Sequence, residues 1–143
     1  MDSKYLELSQ WCMISSRNNP SKVISTKTPD PSALNNRSTG ARVYYFRNIL
    51  HDYPDEKCLA ILKNTAVAMD EHSLIFIDEM ILSAFKPYYQ AAEMDLMMML
   101  ALAGAERTDK EWETLIDAAG LKIKEIFTYN KLVRQSIIVL VRK

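Results

Sequence analysis

Apolar and polar positions follow two periods in the second part of the chain. Runs rich in β-branched and aromatic residues occupy 43–50 and 73–82, and between them apolar residues recur at helical spacing behind Pro54. The runs predict buried strands, and the spacing predicts a helix of about four turns. A strand, a helix and a strand of this length imply a right-handed parallel crossover. Both strands should therefore end at the same edge of one sheet.

The remaining pattern adds two helices and a hairpin, which together indicate an α/β fold. We predict a helix over about 89–102, and the capping box at 108–111 begins another helix that Gly120 ends. Two apolar runs, 121–129 and 135–141, have a short connection and predict an antiparallel hairpin at the far edge of the sheet.

Residues 1–40 differ in composition from the rest of the chain. Residues 5–8 and 11–14 could form one short helix, whereas 15–40 consists mainly of Ser, Asn, Thr, Lys and Pro. Such a segment buries too little apolar surface to offset the entropy lost on ordering. We therefore predict a weak helix followed by a loop or disordered stretch, and we assign 1–40 to no domain.

Composition and charge exclude several classes of function. The 143 residues are 48% hydrophobic and 25% charged, which is ordinary for a globular domain. Eighteen basic and eighteen acidic residues cancel, so the chain has no electrostatic signature for nucleic acid or an anionic membrane. The longest apolar run, 96–105, is far shorter than the roughly twenty residues that span a bilayer. Two distant cysteines and no signal-peptide pattern indicate a cytoplasmic setting.

Titratable side chains stand where the two predicted strands end. His51 and Asp52 follow the first strand, and Asp78 and Glu79 follow the apolar part of the second. Ligands of open α/β sheets bind just outside the carboxyl ends of the strands, so this edge is a candidate site. A neutral histidine whose other nitrogen is held by a carboxylate suits a general base. The structural alternative is that Asp52 only caps the next helix and His51 is an edge residue.

Three other features also have two interpretations. The methionines at 94–99 could line an adaptable pocket for a flat ligand or fill the core. From spacing alone, Glu106 and Arg107 would be a surface ion pair. Metal binding is the rival to a base, although no HxH, HxxxH or CxxC spacing supports it. The donors would be His51, Asp52, Asp78, Glu79 and Glu106.

Three segments in order, 47–58, 77–80 and 106–108, closely resemble the C-terminal part of S-adenosylmethionine-dependent O-methyltransferases. The most similar members are fungal secondary-metabolite enzymes and plant caffeic acid and flavonoid O-methyltransferases. The resemblance covers about 41–143. It implies four strands of a class I methyltransferase fold, which is Rossmann-like, in the spatial order first, second, fourth, third, with the last strand antiparallel.

The resemblance also implies roles for individual residues. His51 would remove the proton of an acceptor hydroxyl, Glu79 and Glu106 would orient the imidazole, and Asp52 would position the acceptor. The binding residues it implies are Arg47 for the cofactor, S-adenosyl-L-methionine, and Met97 and Met98 for the acceptor, a phenolic or other small secondary metabolite.

The chain departs from the family in the cofactor half. The family holds the cofactor on a glycine-rich turn after its first strand and dimerises through an N-terminal helical domain, whereas this sequence has three glycines and no GxGxG. We therefore expect a truncated chain without the cradle and the dimerisation domain, whose first strand has an exposed edge unless 1–40 cover it. The alternative to a methyltransferase is a non-catalytic remnant that is inert or pairs with a full-length relative.

Overall fold

The computed structural model describes residues 11–16, 19–26, 41–102 and 104–143, with side chains from residue 41 onward except at 101 and 102. A 3₁₀ turn, Leu50–Asp52, follows the third strand. The other elements, in chain order, are β1 Trp11–Ser16, β2 Asn19–Thr26, β3 Val43–Arg47, α1 Asp55–Ala68, β4 Leu74–Leu82, α2 Tyr89–Leu102, β5 Arg107–Thr108, α3 Asp109–Ala118, β6 Leu121–Asn130 and β7 Gln135–Arg142.

The strands form one sheet in the order β2-β1-β3-β4-β7-β6, and the short β5 pairs with the end of β4. β3 and β4 are parallel, while β7 is antiparallel to both β4 and β6. The predicted parallel crossover, the hairpin and the strand order β3-β4-β7-β6 are therefore confirmed. Because β3 and β4 run in the same direction, their carboxyl ends meet at one edge of the sheet.

Helices α1 and α3 cover one face of this sheet. α1 begins behind Pro54 with two acidic residues in its first turn, where negative charge meets the positive end of the helix dipole. α3 begins with the predicted capping box, in which the Thr108 and Glu111 side chains each bind the other's backbone amide. Trp112 of α3 and Phe46 of β3 are almost fully buried in the core between the layers.

The prediction of a helix at 11–14 is wrong, and so is the prediction of a loop over 15–16 and 19–26. β1 and β2 form an antiparallel pair, and β1 pairs antiparallel with the five residues of β3, from Trp11 opposite Arg47 to Ser15 opposite Val43. The open edge of β3 would leave backbone N–H and C=O groups unpaired, and this long-range pairing outweighs the weak local preference. The other residues of 1–40 lie outside the described part of the chain.

The predicted helix at 89–102 is confirmed as α2, which presents Ala91 and Met98 inward and a broad apolar surface outward. Among the described helices, none has the length and apolar character needed to cross a membrane.

Candidate active site

The turn that carries His51 is formed at the carboxyl end of β3. Asn48 has a positive φ of 48°, a conformation that asparagine adopts more readily than most residues, and it directs the chain out of the strand. The next two amides, of Ile49 and Leu50, both donate to Oε1 of Glu79 at 2.9 Å. The carboxylate of Glu79 on β4 therefore holds the start of the turn and places His51 beyond the end of β3, beside β4.

Three carboxylates surround the imidazole of His51. Nδ1 lies 2.8 Å from Oε1 of Glu106 and 3.8 Å from Oε2 of Glu79, and Nε2 lies 3.4 Å from Oδ1 of Asp52. The predicted approach of His51 to Asp52 and to the carboxylates of Glu79 and Glu106 is confirmed. An ionised carboxylate only accepts hydrogen bonds, so the short contact with Glu106 places a ring proton on Nδ1.

Burial and charge act in opposite directions on these groups. Burial alone would lower the pKa of His51, but the hydrogen bond to Glu106 and the charges of Glu79, Glu106 and Asp52 outweigh it and raise the pKa to about 9. Glu79 is fully buried, and burial raises its pKa in spite of the nearby imidazole and the two amides that donate to it. His51 and Glu79 therefore retain their protons more strongly than the isolated side chains would.

The segment that carries Glu106 lies directly against the His51 backbone. Ala105 N–H donates to the His51 carbonyl oxygen at 3.0 Å, and Glu106 N–H donates to Oδ1 of Asp95 on α2 at 2.9 Å. A Cβ at Gly104 would lie 1.8 Å from the same His51 oxygen, so only glycine permits this approach. No local sequence pattern indicates this role of Gly104, because its neighbour His51 lies far away in the sequence.

Arg107 was also missed, since spacing alone suggested a surface ion pair with Glu106. That interpretation is wrong: Glu106 and Arg107 are 4% and 3% exposed, and Arg107 binds backbone carbonyls of the turn that contains His51. The sequence around position 107 gives no signal for this burial, because the partners of Arg107 lie at positions 50–55.

The prediction that Asp78 joins His51 at this site is wrong, because its carboxylate lies apart from the other candidate donors. It accepts hydrogen bonds from the hydroxyls of Tyr45 at 2.6 Å and Tyr129 at 2.7 Å, on the face of the sheet opposite Glu79. Adjacent residues of a strand point to opposite faces, a rule that could have separated Asp78 from Glu79 in advance. Burial, together with this carboxylate, raises the pKa of both tyrosines, that of Tyr129 to about 12.

A metal would find fewer donors than the sequence suggested. Among the described residues, donor atoms of His51, Glu79 and Glu106 lie within 4.8 Å of one another, and Asp78 does not belong to this group. However, the 2.8 Å hydrogen bond already uses Nδ1 of His51 and Oε1 of Glu106. Glu79 also lies on the Nδ1 side of the ring, 3.8 Å from that nitrogen, so the two glutamates and Nε2 do not face one common position. The geometry therefore favours a base, with Nε2 available for a proton, over a metal ligand.

The predicted binding residues occupy three different environments. Arg47 is exposed at the end of β3, with Nε 3.6 Å from Oδ2 of Asp78. Met98 is buried, whereas Met97 on the same helix is 58% exposed. The roles of Arg47, Met97 and Met98 in binding remain predictions.

Comparison with known proteins places this geometry in a family. Residues 33–122 match the family model of the O-methyltransferase domain. Demethylsterigmatocystin 6-O-methyltransferase stcP of Emericella nidulans is 47% identical over 104 residues, which cover 73% of this chain and 50% of that protein. The chain thus spans about half the length of this curated relative.

Solved structures agree with the sequence comparison. A structure of LepI in complex with SAM is 34% identical with a TM-score of 0.71, and covers 73% of this chain and 27% of that one. A structure described as a pericyclic reaction enzyme matches with the same identity, TM-score and coverage. Since the family model spans more than half of the chain and the fold agrees, this protein belongs to the O-methyltransferase domain family.

Proposed function

We propose that these residues form the proton-accepting side of an S-adenosylmethionine-dependent O-methyltransferase site, with His51 as the general base. The contact that supports this most directly is the 2.8 Å hydrogen bond between Nδ1 and Glu106. It holds the neutral ring in the tautomer whose lone pair is on Nε2. A hydroxyl that approaches Nε2 would also meet Asp52, whose Oδ1 lies 3.4 Å from that nitrogen.

The two glutamates have different parts in this proposal. Glu106 fixes the tautomer of His51 through Nδ1. Glu79 binds the amides of Ile49 and Leu50, so it orients the turn, and its second oxygen, 3.8 Å from Nδ1, stabilises the imidazolium that forms. Both carboxylates are buried, so little water screens their charge.

The raised pKa of His51 suits proton transfer from a phenol. A base of pKa about 9 accepts a proton from a hydroxyl of pKa about 10 at little free-energy cost. At pH 7 only about 1% of His51 would be neutral, because the pKa lies about two units higher. The rate should therefore rise with pH toward 9. A phenolic hydroxyl of a secondary metabolite is the acceptor we propose, with Met97 and Met98 against it.

S-adenosylmethionine is the methyl donor to which the family and the SAM-bound relative point. The described residues do not fit it by themselves. Gly104 is packed against the His51 carbonyl and Gly120 ends α3, so neither forms a glycine-rich turn at the end of a parallel strand. Arg47, at the end of β3, is the residue we propose near the cofactor.

A non-catalytic role is the second candidate, and one observation favours it. β1 pairs antiparallel with β3, at the edge where the family resemblance implies a parallel neighbour from the cofactor half. A chain with this edge occupied would be inert or would act only beside a full-length relative. The homodimer of the family is proposed for a protein that includes the N-terminal dimerisation domain of the family.

A chimera tests the assignment of the base. Residues 41–143, fused behind the N-terminal half of a family relative, should give a methyltransferase in which His51→Ala loses on the order of 10²-fold in kcat. Binding of S-adenosylmethionine by the chimera should change little. His72→Ala is the matched control, since His72 is exposed in the turn between α1 and β4. Normal turnover by the His51→Ala chimera would mean that the histidine is structural.

A further inference from the structure

Arg107 makes a set of buried contacts that the proposed reaction does not yet use. Its Nη1 donates to the carbonyl oxygen of Leu50 and its Nη2 to that of Tyr53, both at 2.9 Å. Its Nε donates to Oδ1 of Asp55 at 2.9 Å, and the guanidinium lies 5.4 Å from the centre of the Trp112 ring. The side chain is 3% exposed, so these contacts hold it in one orientation.

The two carbonyls belong to the residues on either side of the His51-Asp52 pair. The guanidinium is planar, and its donors have a fixed geometry, so bonds to Leu50 and Tyr53 set the distance between the two ends of the turn. Glu106, the residue before Arg107, holds the imidazole itself. The backbone of the turn and the ring of His51 are therefore both held from adjacent positions of one segment.

We propose that Arg107 is a positioning residue for His51, which fixes the turn at 50–53 so that the imidazole meets Glu106. The proposal rests on the proposed function of His51 as a base. Arg107 does not touch the reacting atoms in this scheme. It acts through the backbone carbonyls on both sides of the histidine.

A positioning role and a purely electrostatic role of Arg107 predict opposite shifts in the pKa of His51 when the arginine is replaced. Removal of a nearby positive charge would raise the pKa of His51, because a like charge disfavours the imidazolium. Loss of the two carbonyl contacts would instead let the ring move away from Glu106, whose hydrogen bond helps to raise that pKa. The direction of the shift therefore distinguishes the two roles, and neither is measured through methyl transfer.

The experiment is an NMR titration of the full 143-residue chain labelled with ¹⁵N-histidine. The chain has two histidines, and the exposed His72 provides a reference signal in every spectrum. We expect Arg107→Met to lower the pKa of His51 by at least about half a unit, while the His72 signal does not move. The matched control is Arg134→Met, which removes a partly exposed arginine paired with Asp109 through two 2.9 Å bonds and should leave His51 unchanged.

A folded Arg107→Met chain whose His51 pKa is unchanged or higher would overturn the proposal. If that variant does not fold, Arg107→Lys decides, because lysine keeps the charge and loses the planar pair of donors. A lower His51 pKa in the lysine variant supports positioning, whereas an unchanged pKa or a failure to fold overturns it. A chimera that turns over without His51 would refute the base and leave this titration result intact, so the two failures are distinguishable.

Discussion

The substitution Glu106→Gln removes one charge from the His51 cluster with little change of shape. Glutamine keeps an oxygen that can accept the hydrogen bond from Nδ1, which is 2.8 Å long in the wild-type chain. The Glu106 side chain is 1% exposed, so solvent does little to screen its charge. The variant therefore tests how far the carboxylate charge, rather than packing, raises the pKa of His51.

The structure sets the expected magnitude. The pKa of His51 is raised from 6.5 to about 9, which corresponds to about 3 kcal/mol of preference for the imidazolium in the folded state. A single opposite charge at this distance shifts a pKa by about 1 to 3 units. Since Glu79 and Asp52 remain, we expect Glu106→Gln to lower the pKa of His51 by about 1 to 2 units.

The ¹⁵N-histidine titration measures this shift directly, with His72 as the reference in the same spectrum. A linked test is urea unfolding as a function of pH. A histidine with a raised folded-state pKa adds stability that is fully present below 6.5 and is lost as the pH rises through about 9. The wild-type chain should lose about 3 kcal/mol from this group over that window, and Glu106→Gln should lose less. An unchanged His51 pKa in the variant would refute the pairing and with it the tautomer argument.

Three further predictions concern Glu79, Gly104 and the binding of S-adenosylmethionine. Burial raises the pKa of Glu79 from 4.5 to about 7, so between these pH values the folded chain holds a proton that the unfolded chain releases. The free energy of unfolding should therefore fall as the pH rises through this range. In urea unfolding, Glu79→Gln should lack this pH dependence. Gly104→Ala should lower the free energy of unfolding by about 3 kcal/mol or more, because its Cβ would meet the His51 oxygen. Gly120→Ala should lower it by about 1 kcal/mol, because Gly120 has a φ of +76° but open space around it. Urea unfolding measures both values. Titration calorimetry should detect no saturable binding of S-adenosylmethionine to the 143-residue chain, and micromolar binding would show that another part of the chain supplies a cradle.

The sequence by itself determined the elements whose signals are local. The period of apolar residues identified β3, α1 and β4, and the capping box identified the start of α3, because both depend only on neighbours along the helix or strand. The prediction that His51 and Glu79 meet also followed, since a parallel crossover brings successive strand ends to one edge. The resemblance to a family added the strand order and brought in Glu106, which no spacing rule reaches.

Only the tertiary structure decided the features that depend on residues far apart in sequence. Arg107 is buried because carbonyls at positions 50 and 53 and the carboxylate of Asp55 converge on it, and no pattern around residue 107 encodes that convergence. β1 is a strand because the edge of β3 offers unpaired backbone groups, whereas its short apolar run, 11–14, is by itself compatible with a helix or a strand. Local preferences amount to tenths of a kcal/mol per residue, and a buried contact or a strand pairing exceeds them.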